Sequence, residues 1–177
     1  MILAIDTGTA TLGWSLVSRR GMVHDLGALL LPAAKGKIVH DEFERRCERQ
    51  VDELLKLLPG VTLLVGEALS FARSSKATAS VSLCWGMLVA MTRLSGIPRW
   101  RVSPKRWQHA LLDTPSRVAV DYPVLAQRLR EHITRTGTPR AKSAVAALSA
   151  AASTHALDAA GIGIYTATIA DTSEEHG

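Results

Sequence analysis

Four side chains suited to metal or acid–base chemistry fall at strand ends or on one helix face. Asp6 directly follows the apolar run ILAI, and Glu67 ends the run VTLLVGE. His155 and Asp158 lie three residues apart in the segment THALDAAGIGI, so a helix there places both on one face. Hard divalent cations need several oxygen ligands, and two ions need carboxylates from more than one direction. The pattern therefore predicts a divalent-metal site.

Each of these residues taken alone has a simpler interpretation. Asp6 can cap the turn that follows its strand, Glu67 can be a surface residue at a strand end, and His155 can be an ordinary histidine near a helix start. Their occurrence together, in this order along the chain, favours the metal site over three separate structural roles.

The last predicted helix gives Asp158 a demanding environment. Its neighbours are mostly Ala, Leu, Gly and Ile, and an unpaired carboxylate on the buried face of such a helix is costly. Asp158 therefore either points to solvent or faces a cation. With Ser153 or Thr154 as the cap, His155 and Asp158 fall in the first turns, where the helix dipole favours an anion.

Apolar periodicity and turn residues predict three strands, a helix, a strand, a helix, a strand and then further helices. The predicted strands are Ile2–Ile5, Leu12–Val17, Met22–Leu31, 61–67 and 98–103. The predicted helices are 39–58, Lys76–Ser95 with Ser75 as cap, 103–112 with Ser103 as cap, 122–134, 141–151 and a last helix that begins near residue 154. This order is that of an α/β, ribonuclease H-like fold with a five-stranded mixed sheet of order 3-2-1-4-5. Its first and fourth strands are adjacent and parallel, which brings Asp6 and Glu67 together.

Composition limits the class of protein. The chain has 177 residues, 47% of them hydrophobic, and a net charge of +5. We predict one domain over residues 1–170 and a frayed tail over 171–177. The two cysteines form no disulfide or zinc pattern, and no leader or run of about 20 apolar residues is present, which favours a cytoplasmic protein and no membrane partner.

Three segments together resemble the RuvC family of Holliday-junction resolvases. They are ILAIDTGTATLGWSLV, LLVGEALSFA and HALDAAGIGI, supported by VSPKRW and AKSAV between the last strand and the last helices. The resemblance covers most of residues 1–111 and 140–170, so residues 112–139 are interpreted as an insertion relative to the family. Carried over by position, the catalytic and metal-binding residues are Asp6, Glu67, His155 and Asp158, with His155 where many members have Asp.

The resemblance implies a crossover junction endodeoxyribonuclease. The expected substrate is a four-way DNA junction, the cofactor two Mg²⁺ or Mn²⁺ ions per site, and the assembly a homodimer that makes symmetric paired nicks. It also implies that the loop SFARSSK reaches into the junction, with Phe71 as the wedge between bases and Leu69 as the alternative.

Basic residues concentrate between Arg99 and Lys142, where ten Lys and Arg face three acidic residues, a net charge of +7. Such a stretch suits contact with phosphates, although some of these side chains can simply be solvated. The predicted DNA-binding residues are Arg73, Lys76, Lys105, Arg106, Arg140 and Lys142.

Three other functions remain open at this point. The start ILAIDTGTATLG also resembles the phosphate loop of actin-like ATPases, although these need two such domains. A ribonuclease H-like RNA-processing nuclease of the YqgF type would share the metal site without junction preference. A third alternative is an inactive junction-binding or architectural protein, which the intact acids disfavour.

Overall fold

The fold is built on a five-stranded mixed sheet. The computed structural model describes residues 1–8, 10–31, 39–68 and 75–174, and within these ranges it leaves out the side chains of 39–41, 75–81 and 171–174. The strands are β1 (Ile2–Thr7), β2 (Thr11–Val17), β3 (Val23–Leu30), β4 (Leu63–Glu67) and β5 (Arg99–Val102). Their order is β3-β2-β1-β4-β5, which confirms the predicted ribonuclease H-like sheet.

The first three strands form an antiparallel meander, and the last two run parallel to β1. Strand β1 pairs antiparallel with β2 and parallel with β4, and β4 pairs parallel with β5. Parallel neighbours need a crossover connection. Helices α1 (Val39–Leu57) and α2 (Ser75–Ser95) precede β4 and β5 and provide these crossovers.

Two hydrophobic cores cover the two faces of the sheet. Successive residues of a strand point to opposite faces. Thus Ile2 and Ala4 belong to the core that includes the last helices, whereas Leu3 and Ile5 belong to the core under α1 and α2. The apolar stripe of α2 packs into this second core through Trp85 and other buried residues.

Four helices follow β5. They are α3 (Pro104–Leu112), α4 (Tyr122–Thr136), α5 (Pro139–Ala147) and α6 (Ala150–Glu174). Helix α4 lies within the segment interpreted as an insertion, yet it buries Leu125, Leu129 and Ile133 and contacts α3 and α6. The backbone of α6 continues to Glu174, four residues into the segment predicted as a tail. Among the described helices, none is long and apolar enough to cross a membrane.

The boundary between the last two helices differs from the prediction. The expected helix 141–151 ends at Ala147, and α6 begins at Ala150 rather than beside Ser153 or Thr154. The hydroxyl of Ser149 accepts a hydrogen bond from the Ala152 amide at 3.3 Å, so Ser149 supplies the cap. Ser103 precedes α3 as predicted, but its side chain makes no capping hydrogen bond.

Candidate active site

Asp6 and Glu67 project from the same face of the sheet. The parallel ladder between β1 and β4 ends at the pair Ile5–Gly66, and Asp6 and Glu67 are the next residues along the two strands. Ile5 packs in the core under α1 and α2. Because side chains alternate along a strand, Asp6 and Glu67 face the opposite side, where α6 lies. The predicted meeting of the two strand-end acids is therefore what the register produces.

Helix α6 approaches this face closely because the residues of β2 beneath it have small side chains. Gly13 is paired with Asp6, and a Cβ atom built on Gly13 would lie 2.1 Å from the carbonyl oxygen of His155. The hydroxyl of Ser15 donates a hydrogen bond of 2.9 Å to the carbonyl of Ala159 on α6. A glycine and a serine on alternate positions of β2 thus set the height of α6 above the sheet.

His155 contacts Asp6 directly. Its Nδ1 lies 2.5 Å from Oδ2 of Asp6, and the side chains are 38% and 15% exposed, respectively. The hydrogen bond to Asp6 raises the pKa of His155, burial opposes this change, and the charges of Asp6 and Asp158 add to it. An imidazole held in this way favours its charged form, which stabilises the neighbouring carboxylates.

Glu67 is fixed by an indole. Trp107 on α3 donates from Nε1 to Oε1 of Glu67 at 2.9 Å, and the Trp107 ring is fully buried. Burial raises the pKa of Glu67 to about 7, the Trp107 hydrogen bond opposes this rise, and the charge of Asp6 contributes to it. Sequence reasoning did not anticipate this bond between the buried Trp107 and Glu67. A buried tryptophan needs a partner for its N–H, and that requirement was the available signal.

Asp158 completes the cluster from α6. Burial raises the pKa of Asp158 to about 7; the negative charges of Asp6 and Glu67 also raise it, and His155 lowers it. These mutual effects show that all four predicted residues lie within electrostatic reach of one another. However, since α6 begins at Ala150, His155 and Asp158 lie in its second and third turns, so the expected contribution of the helix dipole is wrong.

The donor set suits a hard divalent cation. Three carboxylates and one imidazole are ligands that Mg²⁺ or Mn²⁺ accepts. Repulsion from Asp6 contributes to the raised pKa values of Glu67 and Asp158, and a cation placed among them would relieve it. In the described part of the chain, no three His, Cys, Asp or Glu side chains are already arranged as a metal-binding group. Ion binding would therefore require these side chains to reorient.

The predicted DNA-binding residues do not form one patch. Lys105 and Arg106 are exposed in the first turn of α3 and line a cavity of about 580 Å³ that Tyr165 also lines. Arg140 lies in the first turn of α5 at the other side of the sheet, where it forms an ion pair of 2.7 Å with Asp25 of β3. Lys142 is exposed on the same helix. The structure thus separates the basic segment into parts beside opposite edges of the sheet.

The predicted junction loop lies outside the described residues. This applies to the wedge candidate Phe71, its alternative Leu69 and the DNA-binding candidate Arg73. The backbone of Lys76 belongs to α2, but its side chain is also outside the described part. The roles assigned to these four residues stay predictions.

A further basic groove lies between α2 and the edge strand β5. Arg93, Arg99 and Arg101 line a cavity of about 540 Å³. The guanidinium of Arg101 lies 4.6 Å from the ring centroid of Trp85, and Arg99 donates to the hydroxyl of Thr92 at 3.3 Å. Stacking and hydrogen bonding hold these arginines in place. Arg99 and Arg101 were counted in the basic segment, whereas Arg93 was missed because it lies on the preceding helix, outside the bounds of that segment.

Comparison with solved structures places this arrangement among known folds. A structure described as RuvC from T. thermophilus in complex with Holliday junction substrate matches with a TM-score of 0.69 and 17% identity, covering 97% of this chain and 94% of that one. The chain has the RuvC fold. A second Thermus thermophilus RuvC structure has a TM-score of 0.65 and 19% identity, with 97% and 96% coverage. The yeast mitochondrial Holliday junction resolvase Ydc2 has a TM-score of 0.73 at 12% identity, covering 99% of this chain and 80% of that one. Neither protein-family models nor curated protein sequences match the chain.

Proposed function

We propose that this chain is a structure-selective endonuclease that resolves four-way DNA junctions by divalent-metal-dependent hydrolysis. The observation that carries the proposal is the electrostatically coupled cluster of Asp6, Glu67, His155 and Asp158 on one face of the sheet. The RuvC fold over nearly the whole chain supports the choice of substrate, because one matched structure is described as a complex with a Holliday junction. We expect the enzyme in the compartment that holds the DNA, the cytoplasm of a cell without a nucleus.

The residues of the cluster have distinct proposed roles. When bound, two Mg²⁺ or Mn²⁺ ions would activate the attacking water and stabilise the leaving oxygen of the cleaved phosphodiester. Asp6, Glu67 and Asp158 would hold the ions, with Asp6 at the centre of the set, since it lies on the central strand, contacts His155 and is on the strand next to that of Glu67. Trp107 holds the Glu67 carboxylate in one orientation. His155, once it has lost the proton that its contact with Asp6 favours, would either bind one ion or accept a proton from the water.

The charge of the surface supports a nucleic-acid substrate. The groove of Arg93, Arg99 and Arg101 and the exposed pair Lys105 and Arg106 lie on the β5 side of the molecule. Each Lys or Arg that neutralises a phosphate releases counterions, which makes binding strong at low salt. We propose that this side holds the DNA backbone while the acid cluster reaches the bond to be cleaved.

The direct test compares nicking and binding in three carboxylate variants. Asp6→Asn, Glu67→Gln and Asp158→Asn should each abolish nicking of a mobile four-way junction with Mg²⁺ or Mn²⁺. Junction binding should remain, because loss of negative charge does not weaken a basic surface toward phosphates. Wild-type cleavage by Asp6→Asn would contradict the metal site.

The choice of substrate distinguishes the related functions. The same assay includes a replication fork, a DNA duplex and an RNA hairpin. Preference for the RNA hairpin would favour the RNA-processing nuclease of the YqgF type. Binding of the junction without any nicking would favour an architectural protein, and nucleotide hydrolysis without either activity would favour the ATPase-related alternative.

A homodimer is the proposed assembly. A junction has near two-fold symmetry, and paired nicks need two active sites, which a C2 dimer provides. Helix α2 exposes Leu83 and Leu94, with the exposed small residues Gly86 and Ala90 between them. These four residues recur at intervals of three and four and so share one helix face. Small residues at the centre of such a face allow a second α2 helix to approach closely.

Light scattering tests this assembly. The wild-type protein at micromolar concentration should have about twice the chain mass of 19.0 kDa. Leu94→Glu should shift it toward the monomer, because Leu94 is 89% exposed in the single chain and would be desolvated in the dimer. Leu55→Glu on α1 makes the same change at another exposed leucine and should leave the dimer intact. A monomeric wild-type protein, both free and on DNA, would contradict the proposal.

A further inference from the structure

Helix α4 and the start of α6 enclose a cavity that reaches the candidate active site. The cavity has a volume of about 320 Å³, and its lining includes Tyr122, Arg130, Ser153, Leu157 and Asp158. Asp158 is therefore shared between the acid cluster and this cavity. Ligand cavities typically begin at about 300 Å³, so the space suits one small unit rather than a duplex.

The polar groups of the cavity are held by hydrogen bonds. Arg130 donates from Nη2 to the hydroxyl of Ser153, which lies two residues before His155 on α6. Gln108 donates to the phenol oxygen of Tyr122 at 3.5 Å. Gln108 directly follows Trp107, whose indole binds Glu67. The same turn of α3 thus supports a candidate metal ligand and the wall of the cavity.

The chemistry of the lining is that of a nucleotide site. A guanidinium binds phosphate oxygens through charge-assisted hydrogen bonds, and a phenol ring offers a face on which a base can stack. Leu157 and Leu125 add an apolar surface. In the described part of the chain, Arg130 forms no ion pair with a carboxylate, so its charge remains available to an anion.

We infer that this cavity binds the nucleotide adjacent to the scissile phosphate, with Arg130 on its phosphate and Tyr122 against its base. The inference rests on the proposed nuclease function and extends it, because it names a positioning site supplied by the segment 112–139. A nucleotide held here would orient the bond to be cleaved relative to Asp158, and the shape of the cavity would favour some bases over others.

Neutral phosphate substitution tests the contact with Arg130. Single-turnover nicking is measured on junctions that carry one methylphosphonate at a time near the cleavage point. A charge-assisted hydrogen bond corresponds to about a 10- to 100-fold effect, so Arg130→Ala should lose that much on the normal junction. At one flanking position the methylphosphonate should slow the wild type by a similar factor and the variant hardly at all. If the effects of Arg130→Ala and of the methylphosphonate multiply at every position tested, Arg130 contacts none of these phosphates and the inference is overturned.

Two further variants separate this role from a structural one. Arg135→Ala removes the same charge from an exposed position of α4 that does not line the cavity, and it should nick like the wild type. Ser153→Ala removes the internal hydrogen bond but keeps the guanidinium, so it should retain the sensitivity to the flanking methylphosphonate. If Ser153→Ala loses that sensitivity as Arg130→Ala does, the guanidinium only supports α6 and the inference fails.

Equilibrium binding keeps the inference testable independently of cleavage. The affinity of the wild type, Arg130→Ala and Arg135→Ala for the same junctions is measured in EDTA. If the wild type nicks no junction, the proposed nuclease function fails, and the affinities alone show whether the cavity binds a nucleotide. A flanking methylphosphonate that weakens the wild type but not Arg130→Ala supports the nucleotide site; equal weakening of both contradicts it.

Discussion

The close approach of α6 to β2 predicts a large effect for Gly13→Ala. The added Cβ would lie 2.1 Å from the His155 carbonyl oxygen and 2.3 Å from its carbonyl carbon, whereas ordinary contact begins near 3.4 Å. Helix α6 and strand β2 must therefore separate by about 1.3 Å, the difference between 3.4 and 2.1 Å. The atoms in conflict belong to the backbone, so no side-chain rotation relieves the clash.

The size of the effect follows from this displacement. Overpacking of a well-packed interior costs about 1–3 kcal/mol, and a backbone clash belongs at the upper end. A displacement of about 1 Å in a catalytic group can reduce a rate by about 100-fold. We therefore expect Gly13→Ala to lose about 3 kcal/mol of unfolding free energy and about 100-fold in single-turnover nicking.

Urea unfolding and junction nicking measure the two losses. Gly86→Ala is the control, because a Cβ on Gly86 meets no atom within 4 Å and alanine favours the helix. Gly86→Ala is the control for stability alone, compared at one protein concentration, because Gly86 lies on the proposed dimer face and an added methyl there also changes assembly. If Gly13→Ala keeps wild-type stability and rate, α6 does not approach β2 at His155 as described, and the basis for the Asp6–His155 contact is lost.

Two further predictions concern the protonation and metal preference of the cluster. In EDTA, the free energy of unfolding should fall as pH rises from about 4 to about 7, because Glu67 and Asp158 bind protons more tightly in the folded state. Glu67→Gln should make this fall smaller. If urea titrations show that stability rises over this range, the raised pKa values are contradicted. With His155 as an imidazole ligand, Mn²⁺ should support nicking at least as well as Mg²⁺. Across a metal titration, nicking by His155→Ala should be severely impaired, and His155→Asp should shift the metal preference toward Mg²⁺. If His155→Ala cleaves like the wild type, His155 has no role in the site, which then consists of Asp6, Glu67 and Asp158.

The sheet and two of its acids could be predicted because local patterns determine them. Short apolar runs bounded by turns define strands, and the crossover helix between Asp6 and Glu67 requires their strands to be parallel. Once the strands are adjacent, the alternation of side chains decides which face the acids occupy. These steps need only the order and the polarity of the residues.

The contacts that complete the site depend on distances across the fold. The bond from Trp107 to Glu67 joins residues 40 positions apart, and the contact between Arg130 and Ser153 joins two helices. The predicted start of α6 was wrong because Ser149, Ser153 and Thr154 are all residue types that can cap a helix. Tertiary packing selects among such equivalent residues, and a single sequence does not show that packing.

The presence of separate cores on the two faces of the sheet has a consequence for engineering. The acid cluster and the adjoining cavity of Arg130 and Asp158 belong to the α6 face, whereas the exposed leucines of α2 belong to the other. If the proposed dimer forms through α2, its pairing specificity can be redesigned there without changing the residues of the acid cluster. Oppositely charged substitutions at Leu83 and Leu94 in two versions of the chain would favour a heterodimer. If the chain has the proposed nuclease activity and assembly, one version carrying Asp6→Asn would leave a single active site in the heterodimer, which would then nick only one strand of a junction.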